Sequence, residues 1–124
     1  MLADTDIIGF IPTRNFEAAR TFYEGTLGLR HVKDDGFALV LDAHGVMLRV
    51  TKVPPFTPMP FTILGWQVTN IEETAATLRQ RGVTFERYAF LEQDALGIWS
   101  APSGDKVAWF KDPDGNTLSL SQHV

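Results

Sequence analysis

Apolar residues in this chain mostly alternate with polar ones or form short runs, and twice the spacing lengthens to that of a helix. Ile7 to Thr13, rich in β-branched and aromatic residues, predicts a first strand. Asn15 fits the N-cap of a helix, with Glu17 in the first turn, where the helix dipole favours a negative charge. Phe16, Ala19, Phe22, Tyr23 and Leu27 form one apolar stripe, and Gly28 is placed to stop the helix. A short strand near Arg30 to Lys33 follows, then a turn at Asp34-Asp35-Gly36. Phe37 to Leu41 predicts the next strand, Asp42 to Gly45 a turn, and Val46 to Thr51 a fourth strand.

Val53 to Pro60 carries four of the 7 prolines, too many for a ladder or a helix, and predicts a stiff linker. The pattern then restarts. Phe61 to Val68 reads as a strand. Asn70 caps a second helix, with Glu73 in the capping-box position and Ile71, Ala75 and Leu78 as its stripe. Gly82 ends it. Thr84 to Tyr88 predicts a strand, Ala89 to Gly97 a loop, and Ile98 to Ala101 another strand. Last comes a hairpin from Lys106 to Gln122 around Asp112-Pro113-Asp114-Gly115. Asp opens that turn, proline presets φ, and glycine takes the positive φ that re-enters a strand.

The halves therefore repeat as strand, Asn-capped helix, glycine stop and further strands, with Asn15 and Asn70 lying 55 positions apart. The expectation is one domain, residues 1–124, with module one over about 5–52, the linker over 53–60 and module two over about 61–122. One helix covers one face of its sheet, so the other face needs a partner or a ligand.

Composition narrows the function. The net charge is -4, with no cluster of Lys and Arg, which argues against nucleic acid. Cysteine is absent, which removes disulfides and thiol chemistry. No apolar run is long enough for a membrane span, and MLADTDII lacks a signal core, so the expected setting is the cytoplasm, without a membrane partner.

FKDPDGN followed by an alternating strand resembles the C-terminal signature of the vicinal-oxygen-chelate superfamily: glyoxalase I, bleomycin-resistance proteins and extradiol dioxygenases. FEAARTFYEGTLGL and VTNIEETAATLRQRG are similar to that family's first and second helices. The resemblance runs from Ile7 to Gln122 and implies an α+β fold, two βαβββ modules forming a curved eight-stranded sheet with a concave cleft. It also implies a homodimer, as is common in the family.

Family metalloenzymes carry four His, Glu or Gln ligands on that concave face. Aligned from the helix caps and the DPDG turn, those positions are Ile8, Leu48, Ile63 and Ser119, none a ligand for a divalent metal. Neighbouring positions (Ile7, Gly9, Met47, Arg49, Thr62, Leu64, Leu118, Leu120) do not repair the set. His31, His44 and His123 have no metal-ligand spacing. The expected site has no metal, no cofactor and no catalytic residue, since no histidine is placed in sequence terms to activate a serine.

Strand alternation then assigns the cleft lining: Ile8, Phe10, Leu48, Val50, Ile63, Gln67, Ser119 and Ser121. Ile11, Leu64, Trp66, Val68, Leu118 and Leu120 would face the helices. Arg49 breaks the pattern. Either it sits at an edge and extends to water, or the 46–51 register is one residue off and Arg49 enters the cleft, where it could hold an anion. Trp99 and Trp109 join the candidate lining, although either can equally pack in the core. The favoured function is binding of a small organic molecule, cationic or aromatic, as in metal-free bleomycin-resistance proteins. The alternative is a metal-dependent lyase, isomerase or dioxygenase using other ligands, and a third reading is a module that only dimerises or regulates.

Overall fold

The computed structural model describes all residues, Met1 to Val124, as two compact units, Met1–Thr57 and Pro58–Val124. The division falls inside the proline-rich stretch, which has neither strand nor helix beyond Lys52. In the first unit a short 3-10 turn (Leu2–Asp4) precedes β1 (Ile8–Thr13), α1 (Phe16–Arg20), β2 (Arg30–Asp34), β3 (Ala38–Ala43) and β4 (Val46–Lys52). The second unit has β5 (Thr62–Gln67), α2 (Ile71–Gln80), β6 (Trp99–Ser100), β7 (Lys106–Lys111) and β8 (Thr117–Gln122). Strand order is β1-β4-β3-β2 in one sheet and β5-β8-β7-β6 in the other. Each sheet joins its first and last strands in parallel and is antiparallel elsewhere. The repeat expected from the sequence is thus a repeat of topology, two βαβββ modules of an α+β fold.

Both helices start as the asparagines imply. Asn15 Oδ1 accepts from Ala18 N at 3.2 Å, and Asn70 Oδ1 from Glu73 N at 3.1 Å. Gln122, at the end of β8, adds its Oε1 as acceptor for Ile71 N at 2.9 Å, fastening α2 to the sheet. The first helix differs from expectation. After Arg20 it widens into a π-helical turn, Thr21–Thr26, with Leu27 N bonded to Phe22 O, five residues back, at 2.9 Å. That turn still seats Tyr23 in the core, 1% exposed.

The buried apolar residues of the first unit are Ile11, Ala19, Tyr23, Ala38, Leu39, Val40, Leu41, Leu48 and Val50. Those of the second are Ile71, Ala75, Leu78, Val83, Phe85, Ile98, Ala108, Phe110, Leu118 and Leu120. Trp66 lies with the second core, its ring stacked 6.4 Å from Phe110.

Thr84 to Tyr88 does not form the expected strand. It makes one bridge, Phe85 to Phe110, and one bond from Glu86 N to Trp109 O at 2.7 Å. A side chain replaces the missing ladder. Gln93 Oε1 accepts from Tyr88 N at 2.8 Å, while its Nε2 donates to Glu86 O at 2.9 Å and Gly97 O at 2.8 Å. The DPDG turn forms as read. Gly115 N bonds to Asp112 O at 3.0 Å, and Gly115 takes φ 89°.

Candidate functional site

Each sheet has one face against its helix and a far face. Side chains of directly paired residues share a face, so the ladders assign every position. In the first unit β1 pairs with β4 as Ile8–Met47, Phe10–Arg49 and Ile11–Val50. Ile8 and Phe10 lie on the far face, 46% and 65% exposed. Leu48 and Val50 do not join them: they pair with Gly9 and Ile11 and are buried on the helix side, 2% and 0% exposed. The expected register of this strand is therefore one residue off, and the far face carries Met47, Arg49 and Thr51 instead. The physical reason is the guanidinium, which cannot be buried under α1 without a partner.

Arg49 reaches the far face but is not a free anion site. Its Nη2 donates to Asp35 Oδ2 at 2.8 Å. Asp35 Oδ1 accepts from Phe37 N at 3.0 Å and Ala38 N at 2.9 Å. Arg49 first, and then these two N–H groups, hold the Asp35 carboxyl down at about 2, against an ordinary value of 3.8. A depressed carboxylate contributes stability that is complete above its ordinary pKa and is lost as pH falls through the folded value. Thermal melts are thus expected to show stability dropping between about pH 4 and about pH 2, with a shallower drop in Arg49→Met. Both side chains are a quarter exposed, so added salt should shrink the difference.

In the second unit the expected register holds. Gly65–Ser119, Gln67–Ser121, Trp109–Ser119, Val107–Ser121 and Trp99–Val107 are paired, which puts Gln67, Trp99, Trp109, Ser119 and Ser121 on the far face. Ile63 stands in the irregularity between Thr62 and Leu64 and is 37% exposed. Gly65 leaves room for its neighbour: a Cβ there would meet Ser119 Oγ at 2.6 Å. Around Trp109 the rings assemble. Trp99 lies 6.2 Å from it and Tyr88 5.5 Å, edge-on, with Phe90 a further 5.6 Å from Tyr88. Phe90 is 82% exposed. Burial, then the charge of Glu86, raises the Tyr88 phenol above its ordinary 10.0, so it stays protonated and a hydrogen-bond donor.

No group of three or more His, Cys, Asp or Glu side chains is placed to hold a metal ion. The three histidines are each tied to other work or apart: His31 Nδ1 lies 3.0 Å from Glu24, and His123 lies between Ser121 and Asp105. His44 sits in the β3–β4 turn with φ 51°. Sequence reasoning missed the His123 cluster. No helix is long and apolar enough to cross a membrane.

The profile of the Glyoxalase/Bleomycin resistance protein/Dioxygenase superfamily matches residues 6–120. Among solved structures, the chain is similar to a member of that superfamily from Sphaerobacter thermophilus, with TM-score 0.76, 22% identity, and coverage of 99% of this chain and 100% of that one. It is similar to a glyoxalase family protein from Bacillus anthracis, with TM-score 0.75, 16% identity, and coverage of 98% and 96%. It also matches lactoylglutathione lyase from Agrobacterium tumefaciens, with TM-score 0.72, 15% identity, and coverage of 96% and 93%. At these identities the likeness establishes the fold. No curated protein matches the chain. With the family profile spanning nearly its full length over two βαβββ modules, the chain belongs to the glyoxalase/bleomycin resistance protein/dioxygenase superfamily.

Proposed function

We propose that this superfamily member binds a small, flat organic molecule, aromatic or cationic, on the far face of its second sheet, without the metal centre of its enzymatic relatives. The observation that carries this reading is the ring cluster of Trp99, Trp109, Tyr88 and Phe90, standing beside Ser119, Ser121 and Gln67. Indole faces attract flat π systems and cations alike, and three short polar side chains can orient a ligand edge. The positions aligned with the relatives' metal ligands carry Ile8, Leu48, Ile63 and Ser119, and on the far face Met47 takes the place of Leu48 beside Ile8. Hydrocarbon, a thioether and one hydroxyl are a poor donor set for a hard or borderline cation.

The test is a thermal-shift screen of cationic antibiotics, aromatic metabolites and divalent metals, since whatever binds the native state alone must raise its melting temperature. At least one organic compound is expected to stabilise the protein and quench its tryptophan fluorescence. Trp109→Ala should weaken that compound about fivefold, equivalent to about 1 kcal/mol for a lost ring contact. Stabilisation by a divalent metal, bound stoichiometrically after purification, would replace this reading with a metal-dependent lyase, isomerase or dioxygenase.

A further inference from the structure

We propose that Ser121 is a nucleophile, activated by His123 and positioned through Asp105, and that the protein transfers acyl groups from activated esters. Ser121 Oγ lies 3.0 Å from His123 Nε2, and His123 Nδ1 lies 3.1 Å from Asp105 Oδ2. The other oxygen of Asp105 accepts from Val124 N at 2.9 Å, which fixes the carboxylate. Ser121 lies in β8, and Asp105 and His123 flank the open end of the closing hairpin, just before β7 and just after β8. Val107 pairs with Ser121, so two steps further along the same face Asp105 comes opposite His123.

Chemistry decides which way the protons point. The Val124 N–H first, and then His123, hold the Asp105 carboxyl below its ordinary 3.8, so it is a carboxylate at neutral pH and can only accept. The hydrogen on Nδ1 must therefore lie between His123 and Asp105. In the neutral ring Nε2 then has only a lone pair, so the Ser121 hydroxyl is the donor. That is the orientation a general base needs, with heavy atoms already within hydrogen-bond reach. His123 is half-exposed and Ser121 partly exposed, so the pair lies at the surface. Gln67, paired with Ser121 across the parallel ladder, puts a carboxamide on the same face of the sheet.

The reaction balances within these groups and water. Oγ attacks the ester carbonyl carbon as its proton passes to Nε2. The carbon–oxygen bond to the leaving alkoxide or aryloxide breaks, and that oxygen takes the proton from Nε2. Water then attacks the acyl-serine carbon, giving a proton to Nε2. The bond to Oγ breaks, and Ser121 recovers its proton as the carboxylic acid leaves.

The full chain is treated with a fluorophosphonate and, separately, with p-nitrophenyl acetate. One fluorophosphonate adduct per chain is expected, mapped by peptide mass to Ser121, with ester hydrolysis above the buffer rate. Ser121→Ala should abolish the adduct. His123→Gln should slow ester hydrolysis about a hundredfold, the lower range for a general base. Asp105→Asn should lower kcat by a similar factor with KM unchanged, and Asp105→Glu should restore part of it, which a loss of folding would not mimic. No adduct, an adduct on another residue, or full hydrolysis in Ser121→Ala overturns the proposal. Both probes are small enough to act without the ring cluster, so failure here leaves the binding reading standing, and the reverse also holds.

Discussion

Phe110→Ala is expected to lower the stability of the protein by about 3–5 kcal/mol, the range for removing a fully packed aromatic ring. Phe110 is 0% exposed and pairs with Leu118 on β8. Its ring stacks on Trp66 at 6.4 Å and meets Phe85 edge-on at 5.6 Å. It also forms the single bridge that holds Phe85, and so the 84–88 segment, against β7. Alanine would remove the hydrophobic transfer energy and leave a hole between α2 and the sheet that rigid neighbours cannot close. At about 3–4 °C per kcal/mol for a chain of this size, the melting temperature should fall by about 10–20 °C. Urea denaturation checks it: the midpoint should drop with the slope preserved. A loss under about 1 kcal/mol would mean that the site collapses to fill itself, contrary to the packing described.

Asp112→Ala is expected to cost about 3 kcal/mol, through unmade hydrogen bonds rather than lost packing. Asp112 is 6% exposed at the head of the DPDG turn. Its Oδ1 accepts from Asp114 N at 3.0 Å and Asn116 N at 2.9 Å, and its Oδ2 from the Asn116 carboxamide at 2.9 Å. Truncation strands all three donors, each worth about 1–3 kcal/mol if left dry, with water at the turn recovering part of the sum. Asp112→Asn keeps one oxygen for the two backbone donors but turns an amide towards the amide of Asn116. Its loss should fall between wild type and alanine in the same denaturation series. Equal losses in the two variants would show that the charge, not the acceptor count, holds the turn.

That turn was the most legible part of the chain, and the reason is local. Asp, Pro, Asp and Gly each have one preferred backbone role there, and all four roles agree. The same holds for the caps at Asn15 and Asn70, where one side chain answers one unpaired N–H. In the second sheet, alternation of Leu118 and Leu120 with Ser119 and Ser121 separates the two faces without ambiguity. The register of β4 was not legible from the family alignment because Met47, Leu48 and Val50 are apolar on both parities. Only Arg49 breaks the tie, and its own polarity points to the far face that the ladder assigns. The π-helical turn leaves no mark in the stripe, since Tyr23 is buried either way. Segment 84–88 alternates like a strand but takes its hydrogen bonds from Gln93, whose role depends on a loop course that periodicity does not encode. The ring cluster was half visible. Parity left Trp99 and Trp109 open between core and cleft, and the course of that same loop brings in Tyr88 and Phe90.

The Ser121–His123–Asp105 cluster was hidden for a different reason. Asp105 and His123 are 18 positions apart in the chain, and only the pairing set by the turn brings them opposite. Once the hairpin register is known, the cluster follows by counting two residues beyond Val107 and Ser121.

The parallel ladders β1–β4 and β5–β8 bear on how the protein is made. A ribosome releases β1 and β5 well before the strands that complete their hydrogen bonds. During that interval each opening strand waits with unpaired backbone, and closure pays the entropy of the intervening chain before any reward arrives. The earlier unit can seal once Lys52 has emerged, while the later one stays unsealed until Gln122 is out. Nascent chains are therefore most exposed to mispairing at β5.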